Sequence, residues 1–354
     1  MKCGVGDYTK FLADALGEHS EVSVAVLTDE RARLHMPSSR IRVFPVARGW
    51  KFSDMAPIME TIRHFSPDIV HIQFPTQGYG RKILPWLLSI SLASLKISVV
   101  QTWHEYYPMG GFMNIPNAIV AGGLVAVRPN YLEKMSSWFR WLNRKKRFRY
   151  IPNASPLPSV SLNEEEKTVI RSRYVGRSKA LVAYFGFVYP EKNIEALFEI
   201  CDPRLHQLVL VCDLNPSDRY HSVILRKVQI EPWKQSVTVT GYLPADEAAR
   251  ILAVADVVVL PFRGGGGSWN TSLLGAISQG TFVLTTSREE RGYNPSENVY
   301  FAQPGNIDEM KNALGKYIGN RTINRSQDNE KGWDTISNEH ADLYKSIITK
   351  SAQQ

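Results

Sequence analysis

Apolar positions follow two alternating spacings along the first half of the chain. Short runs rich in Val and Ile are typical of buried parallel strands, and between them apolar residues recur every three to four positions, as on one face of a helix. The predicted strands are residues 21–29, 41–46, 67–74, 96–105, 122–129 and 148–153. The predicted helices are residues 8–19, 55–65 and 131–142. Strands that alternate with helices predict a doubly wound parallel sheet.

A segment rich in Pro and Ser, residues 154–167, interrupts this alternation and predicts a linker. The same alternation then resumes. Its predicted strands are residues 179–187, 207–213, 236–243, 255–262 and 281–286. Its predicted helices are residues 193–200, 245–255, 271–280, 307–318 and 333–348. We therefore expect an α/β protein with two Rossmann-like doubly wound domains that face a cleft.

The two domains are expected at residues 1–153 and 168–332, and residues 333–350 are expected to form a helix that packs back towards the first domain. The length of 354 residues fits this division. Because open parallel sheets bind ligands at the carboxyl ends of their strands, the cleft is the expected ligand site.

Composition narrows the setting of the protein. Hydrophobic residues make up 44% of the chain and charged residues 21%, as in ordinary globular proteins. The three cysteines, Cys3, Cys201 and Cys212, are too scattered for a disulfide framework or a zinc site, which favours a reducing, cytoplasmic compartment. No apolar run is long enough to span a membrane. The net charge of +8 permits nucleotide diphosphates, anionic lipids or nucleic acid as partners.

Three glycine-containing turns lead into predicted helices, where backbone amides can approach an anion. Gly4 and Gly6 precede the first helix, and Lys192 stands just before the helix that follows strand 179–187. Residues 264–267 are four glycines ahead of the helix that begins near Thr271 and Ser272, whose amides are expected to be free. Each turn alone is also compatible with a purely structural role.

A polar pair, His104 and Glu105, ends the apolar strand 96–105. Side chains at the carboxyl end of a parallel strand face the ligand site. The alternative is that His104 only satisfies a backbone group at the strand end.

Taken in order along the chain, these segments resemble the GT-B glycosyltransferases of the large family 4. The matching segments are GVGDYTKFLADAL, PDIVHIQF, QTWHEY, IPNASPLP, FGFVYPEKNIEALFE, VTVTGYLPADEAARILAVADVVVLPF, SLLGAISQGTFVLTT and WDTISNEHADLYKSI. The resemblance implies transfer of a sugar from a nucleoside-diphosphate sugar, with retention at the anomeric carbon. It also implies that protein groups hold the diphosphate, without a metal or other cofactor.

The resemblance also implies roles for individual residues. His104 would contact the transferred sugar near the reacting carbon, and Lys192 would bind the diphosphate. The implied donor-binding residues are Gly4, Gly6, Tyr242, Leu243, Ser268, Thr271, Ser272 and Leu273. Among these, the two glycines face the donor phosphate and the acceptor, and Tyr242 and Leu243 pack on the nucleobase. The backbone of Ser272 and Leu273 cradles the distal phosphate.

Three features depart from the family pattern. Phe187 stands where an Arg is usual, and glycines at 267 and 275 stand where two glutamates hold the donor sugar and the ribose. This form resembles a branch of the family that lacks both glutamates. The strand expected before Gly4 is missing, because Met1 is only three residues upstream. Either the chain continues upstream in the natural protein, or the first domain is rearranged.

The stretch from Trp138 to Arg149 interleaves aromatic and basic residues. Such a pattern suits contact with an anionic membrane surface, here the inner face of a membrane. The alternative is an amphipathic core helix with a solvated basic face. Nucleic acid is not expected as a partner, because the chain carries no nucleic-acid-binding module.

The expected activity is a metal-independent, hexosyltransferase-like reaction that makes a cell-surface polysaccharide or glycolipid. Its partners would be a nucleotide-sugar donor and a saccharide or glycolipid acceptor. One alternative is a catalytically silent GT-B homologue that acts as a binding or scaffold subunit, which the two glycines would explain. Another is a sugar-nucleotide epimerase or a phosphorylase of similar fold, for which no motif was found.

Overall fold

The computed structural model describes residues 4–31, 41–74, 79, 82, 84–105, 120–144, 146–175, 179–267, 269–322 and 326–351. The chain divides into two compact units. One comprises Met1–Asn153 together with Trp333–Gln354, and the other comprises Ala154–Gly332. The first unit is therefore built from two stretches that are far apart in sequence.

Parallel strands and intervening helices make up the first unit. Its strands are β1 (Ala25–Asp29), β2 (Arg42–Ala47), β3 (Ile69–Phe74), β4 (Ser98–Trp103), β5 (Gly123–Ala126) and β6 (Arg147–Tyr150). Its helices are α1 (Gly4–Gly17), α2 (Met55–Phe65), α3 (Leu84–Ser94), α4 (Ser137–Asn143) and the part of α11 (Ser326–Ser351) that begins at Trp333. The strands form two sheets, β1–β2 and β3–β4–β5–β6. Each predicted strand of the first half overlaps an observed one.

The C-terminal helix α11 packs closely on the sheet of the first unit. A Cβ atom on Gly123 of β5 would lie 2.8 Å from Cδ1 of Ile347 and 3.5 Å from Cδ1 of Leu343. Both leucine and isoleucine side chains are buried. The bare backbone of β5 at this glycine therefore allows the helix to approach the strand.

Two helices of the first unit differ from the sequence prediction. Helix α3 was not predicted, because its segment LPWLLSISLAS is apolar on nearly all sides and has no helical period. The predicted helix 131–142 is wrong in its first half. Residues 131–135 form hydrogen-bonded turns after Asn130, whose positive φ of 54° breaks the helical path, and the helix begins at Ser137.

The second unit is one seven-stranded sheet with helices between its strands. Its strands are β7 (Ala180–Phe185), β8 (His206–Val211), β9 (Val237–Val239), β10 (Val257–Leu260), β11 (Val283–Thr286), β12 (Gly292–Asn294) and β13 (Val299–Ala302). Its helices are α5 (Glu164–Ser172), α6 (Leu197–Ile200), α7 (Arg219–Gln229), α8 (Ala245–Val254), α9 (Thr271–Ile277) and α10 (Ile307–Tyr317). The strand order is β12-β13-β11-β10-β7-β8-β9, and only the β12–β13 pair is antiparallel.

The strand order changes direction between β7 and β10. From β7 the chain runs to β8 and β9 on one side, then crosses to β10 and β11 on the other. The central strands have no exposed apolar side chains, as Leu181, Leu208 and Val258 illustrate. In open α/β sheets such a switch point leaves a crevice at the carboxyl ends of the two strands.

The predicted linker is not a free connection. Leu157 is buried in the core of the second unit, and the Nε2 atom of Gln279 donates to the Pro158 carbonyl at 2.9 Å. Val160 N donates to Oε1 of Gln279 at 3.2 Å. Residues 154–163 are thus part of the second unit, and Asn163 then caps α5.

Candidate functional site

Beyond the carboxyl end of β7, the backbone lies close to a side chain of helix α9. Gly186 follows β7 with a φ of 137°, a conformation that favours glycine. A Cβ atom at this position would lie 2.5 Å from Oγ of Ser272 in α9. Glycine is therefore required for steric reasons at this position, directly after a buried strand.

Lys192 lies on the loop that follows this glycine. It ends a 3₁₀ turn, Pro190–Lys192, so it does not directly precede the α-helix as predicted. Asn193 separates it from a second turn and then from α6. The Lys192 Nζ atom lies 4.1 Å from the ring centre of Phe262, two residues after the end of β10. The ammonium group is thereby held at the switch point by a cation–π contact.

A polar network fixes the loop that carries Lys192. Arg263 donates from Nε to the Pro190 carbonyl at 2.9 Å and from its backbone N to the Glu191 carbonyl at 3.0 Å. Its guanidinium also pairs with Glu195, which accepts a hydrogen bond from the Tyr220 hydroxyl. Burial and the Glu195 carboxylate raise the pKa of Tyr220, so this hydroxyl remains a donor at neutral pH.

The start of helix α9 differs from the prediction. Ser272 N and Leu273 N donate to the side-chain oxygen of Asn270, at 3.0 and 3.4 Å. Free amides were expected at Thr271 and Ser272, and for Ser272 this is wrong, because asparagine is a strong helix N-cap. Thr271 is the first residue of the helix, and Ser268 lies outside the described residues.

In the first unit, His104 follows the carboxyl end of β4. Its backbone N donates to the Phe74 carbonyl at 2.9 Å, and its carbonyl accepts from Nε of Arg128 at 3.2 Å. Its ring makes an edge contact with Tyr8 of α1, with 4.8 Å between ring centres. Burial and, to a smaller extent, the charges of His340 and Arg128 lower the pKa of His104 to about 3. The imidazole is therefore neutral at pH 7.

The neighbouring residues of His104 serve different purposes. Glu105 is exposed and pairs with Arg128, and its carbonyl accepts from the Tyr131 hydroxyl at 2.8 Å. Gly4 and Gly6 lie inside the first turn of α1 and not in a loop before it, which corrects the prediction. Through Tyr8, this helix nevertheless reaches His104.

A cluster of polar side chains, which the sequence did not predict, lies behind His104. Gln73 Oε1 accepts from His104 Nε2 at 2.9 Å. His71, on the same strand β3, bonds to the Tyr344 hydroxyl at 2.6 Å and to Oγ1 of Thr102 at 2.8 Å. A second buried ring, His340 of α11, lies 5.5 Å from that of His71. Burial lowers the pKa of both histidines, that of His340 to about 4.

Residues 179–320 match the sequence profile of a family described as glycosyl transferases group 1. The matched residues all lie within the second unit, which we call the group 1 domain. A search of curated protein sequences gave no match.

Three solved structures resemble the whole chain. Sucrose-phosphate synthase from Thermosynechococcus elongatus has a TM-score of 0.73 at 17% identity, over 98% of this chain and 94% of that one. HepE from Anabaena, solved with UDP and glucose, has a TM-score of 0.65 at 15% identity, over 98% and 95%. WaaG, a glycosyltransferase involved in lipopolysaccharide biosynthesis, has a TM-score of 0.55 at 14% identity, over 99% and 95%. The predicted GT-B fold is thereby confirmed.

In the group 1 domain, apolar side chains occupy the space beside Gly267 and Gly275, the two positions where the family resemblance implies glutamates. A Cβ atom on Gly267 would lie 2.2 Å from the Trp269 ring, and one on Gly275 would lie 3.2 Å from Leu157. Neither position accepts a longer side chain unless these neighbours move. The glycine run is also packed, since Gly266 N donates to the Thr286 carbonyl at 2.6 Å.

The group 1 domain also presents Tyr242 and Leu243, at the carboxyl end of β9. Tyr242 is 63% exposed, whereas Leu243 is half-buried against the core.

Among the described residues, no three His, Cys, Asp or Glu side chains are grouped so that they could hold a metal ion. Within the same residues, no helix has the length and hydropathy needed to cross a membrane.

Proposed function

We propose that the protein transfers a sugar from a nucleoside-diphosphate sugar to a saccharide or glycolipid acceptor, with retention at the anomeric carbon. The observation that carries this proposal is the position of Lys192 at the switch point of a group 1 domain. A cation at the carboxyl ends of parallel strands suits a diphosphate. HepE, which shares the fold, was solved with UDP and glucose.

In this proposal, Lys192 carries the charge of the departing diphosphate. Its loop is fixed in advance by Arg263, Glu195 and Tyr220, so little reorganisation is needed when charge develops on the leaving group. Because Asn270 occupies the amides of Ser272 and Leu273, those amides contribute less than expected. The lysine is then the dominant electrostatic contact.

The sugar and the base contact other residues. A neutral His104 forms a hydrogen bond to a hydroxyl group of the transferred sugar. The exposed ring of Tyr242 stacks on the nucleobase, with Leu243 behind it. With glycines at 267 and 275, no carboxylate from these positions holds the sugar or ribose, so contacts such as that of His104 carry more of the recognition.

The reaction needs no protein nucleophile. The bond from the anomeric carbon to the diphosphate oxygen breaks, and the acceptor oxygen forms its bond on the same face of the sugar. The proton of the acceptor hydroxyl passes to the departing diphosphate oxygen. The protein supplies position and charge, and we propose that it does so without a metal ion.

We also propose that the protein works at the inner face of an anionic membrane. The basic-aromatic surface consists of Trp138, Arg140, Trp141, Arg144 and Arg149, all exposed. The Arg144 guanidinium lies 4.2 Å from the ring centre of Trp141. Exposed indole rings beside guanidinium groups suit the interface between lipid headgroups and acyl chains. A glycolipid acceptor would be presented at such a surface.

The first experiment measures affinity for UDP, ADP and GDP by calorimetry, in the wild type and in Lys192→Met. Loss of the charge-assisted contact, about 1.5–3 kcal/mol, should lower affinity for the preferred diphosphate tenfold or more. Methionine keeps the packing on Phe262. Lys227→Met is the matched control, since Lys227 also lies over an aromatic ring, that of Phe198. Equal affinities in all three proteins would contradict the assignment.

Turnover of UDP-glucose, ADP-glucose and GDP-mannose is measured beside binding. Release of the sugar by the wild type and its loss in Lys192→Met support the proposal. A wild type that binds a diphosphate tightly and releases no sugar from any of the donors would instead indicate a silent binding subunit.

A further inference from the structure

Gln73 occupies an unusual position between two histidines. It lies on β3, is 9% exposed, and its side chain runs between His104 and His71. Its Oε1 atom lies 2.9 Å from Nε2 of His104, and its Nε2 atom lies 3.4 Å from Nε2 of His71. One buried amide therefore contacts one nitrogen of each imidazole.

The amide presents its oxygen to His104 and its nitrogen to His71. Its oxygen accepts and its nitrogen donates, so His104 must carry hydrogen on Nε2 and His71 must have a lone pair there. The ring of His71 is held from two further sides, by Thr102 Oγ1 at Nε2 and by the Tyr344 hydroxyl at Nδ1. Gln73 is thus restrained at the end that faces away from His104.

A neutral imidazole has one ring hydrogen, and its position decides what the ring can bind. When Gln73 Oε1 accepts a hydrogen bond from the Nε2–H group of His104, the Nδ1 atom of His104 has the lone pair. Within the described part of the chain, no side chain or backbone group hydrogen-bonds to that Nδ1 atom. It can then only accept a hydrogen bond.

We propose that Gln73 is a positioning residue that fixes His104 as the Nε2–H tautomer, so that Nδ1 of His104 accepts a hydrogen bond from a sugar hydroxyl. This inference rests on the proposed function for the role of His104, but the tautomer itself does not depend on any substrate. The hydroxyl of the donor sugar must act as the hydrogen-bond donor to the ring. A sugar that lacks this hydroxyl, or carries it as an ether, is rejected.

The same contacts link His104 to the C-terminal helix. Tyr344 of α11 holds His71, which holds Gln73, which holds His104. Removal of the Tyr344 hydroxyl should therefore loosen the amide without removing its contact to His104. Tyr344→Phe serves as the graded variant, and Gln73→Leu as the variant that removes both amide contacts.

The tautomer is read by NMR of the full-length protein labelled with ¹⁵N-histidine, in the absence of substrate. The His104 signals are identified by their loss in His104→Asn. We expect Nε2–H in the wild type and in Gln73→Glu, whose carboxylate still accepts from Nε2. We expect a mixture of tautomers in Gln73→Leu. An Nδ1–H wild type, or a tautomer unchanged in Gln73→Leu, would overturn the inference.

Kinetics separate a positioning role from a merely structural one. With UDP-glucose as the probe, kcat of Gln73→Leu should fall about tenfold or more, as for loss of one hydrogen bond. Gln73→Glu should recover part of that loss, and Tyr344→Phe should lie between Gln73→Leu and the wild type. Affinity for free UDP should stay within twofold, because UDP lacks the sugar. An equal loss of UDP affinity would show general damage and overturn the inference.

The two proposals fail in different ways. A wild type with the Nε2–H tautomer but no turnover of any nucleotide sugar contradicts the proposed function and leaves the tautomer assignment standing. An active wild type whose kcat is unaffected by Gln73→Leu contradicts the positioning role and leaves the proposed function standing.

Discussion

Gly186 illustrates how one residue sets the geometry of the proposed diphosphate site. Its φ of 137° and the Ser272 hydroxyl 2.5 Å from a hypothetical Cβ atom leave room for hydrogen alone. A side chain here would collide with Ser272 of α9 unless that residue moved. The position therefore links the backbone turn after β7 to the start of α9.

We expect Gly186→Ala to destabilise the protein by about 1–3 kcal/mol, through backbone strain and the clash with Ser272. Urea unfolding measures the change, and calorimetry with UDP measures the loss of affinity. Gly305→Ala is the matched control, because Gly305 also has a positive φ, 82°, but has no atom within 4 Å of its Cβ position. A Gly186 variant no less stable than this control would contradict the steric account.

His340 makes the stability of the first unit depend on pH. Its folded pKa of about 4 lies below the value of about 6.5 in an unfolded chain, since burial disfavours the charged ring. Between these values the unfolded chain binds more protons, so the free energy of unfolding falls as the pH falls from 6.5 towards 4.

His340→Phe should flatten this dependence by up to about 1.4 kcal/mol per pH unit. Urea unfolding at pH 7.5, 6, 5 and 4.5 measures the slope. His64→Phe, on the exposed face of α2, controls for the exchange of a histidine. If both variants keep the wild-type slope, His340 does not contribute to the pH dependence.

At the scale of elements, the sequence predicted β1 to β11 because buried parallel strands are short apolar runs, but it missed the short strands β12 and β13. The sequence predicted helices less reliably where apolar residues did not recur every three to four positions. Helix α3 is apolar on nearly every side, and helix α7 was passed over although Asp218 caps it through the amides of Tyr220 and His221. Pro and Ser in residues 154–163 indicated a linker, because composition does not show that Leu157 is buried.

The basic-aromatic surface combines α4 with the edge strand β6. Phe139 of α4 is buried, and its ring centre lies 5.6 Å from that of Trp103. Trp138 and Trp141 are exposed. The stretch thus has features of both alternatives that the sequence left open. One side of the helix is anchored in the core, and the other exposes aromatic rings and arginines.

We expect the protein to co-sediment with liposomes that contain anionic lipid and to be released by salt. Replacing Arg140, Arg144 and Arg149 with Gln should weaken binding about a hundredfold, at roughly 1 kcal/mol for each basic residue. The control is a triple Gln variant at Arg219, Arg226 and Lys234, which removes the same charge from exposed positions of the second unit. Equal effects of both variants, or equal binding to neutral liposomes, would contradict a specific surface.

At the scale of the whole molecule, the candidate site was predictable only in part. Lys192 and His104 stand at strand ends, which a sequence pattern marks. The polar groups that fix them are far away in sequence: Arg263 for the Lys192 loop, and Tyr344 for the cluster behind His104. Their pairing depends on tertiary contacts that no local spacing encodes. The caps of α9 were readable, since Asn270 directly precedes Thr271.

The first unit contains two stretches of chain, and this arrangement has a consequence for its synthesis. At roughly 5–20 residues per second, a ribosome takes on the order of ten seconds or more to pass from Asn153 to Trp333. Throughout that interval His71 has no Tyr344 and Gly123 has no Ile347. The second unit, contiguous from Ala154 to Gly332, can complete its sheet first. The unit that begins the chain is therefore the last to close during translation.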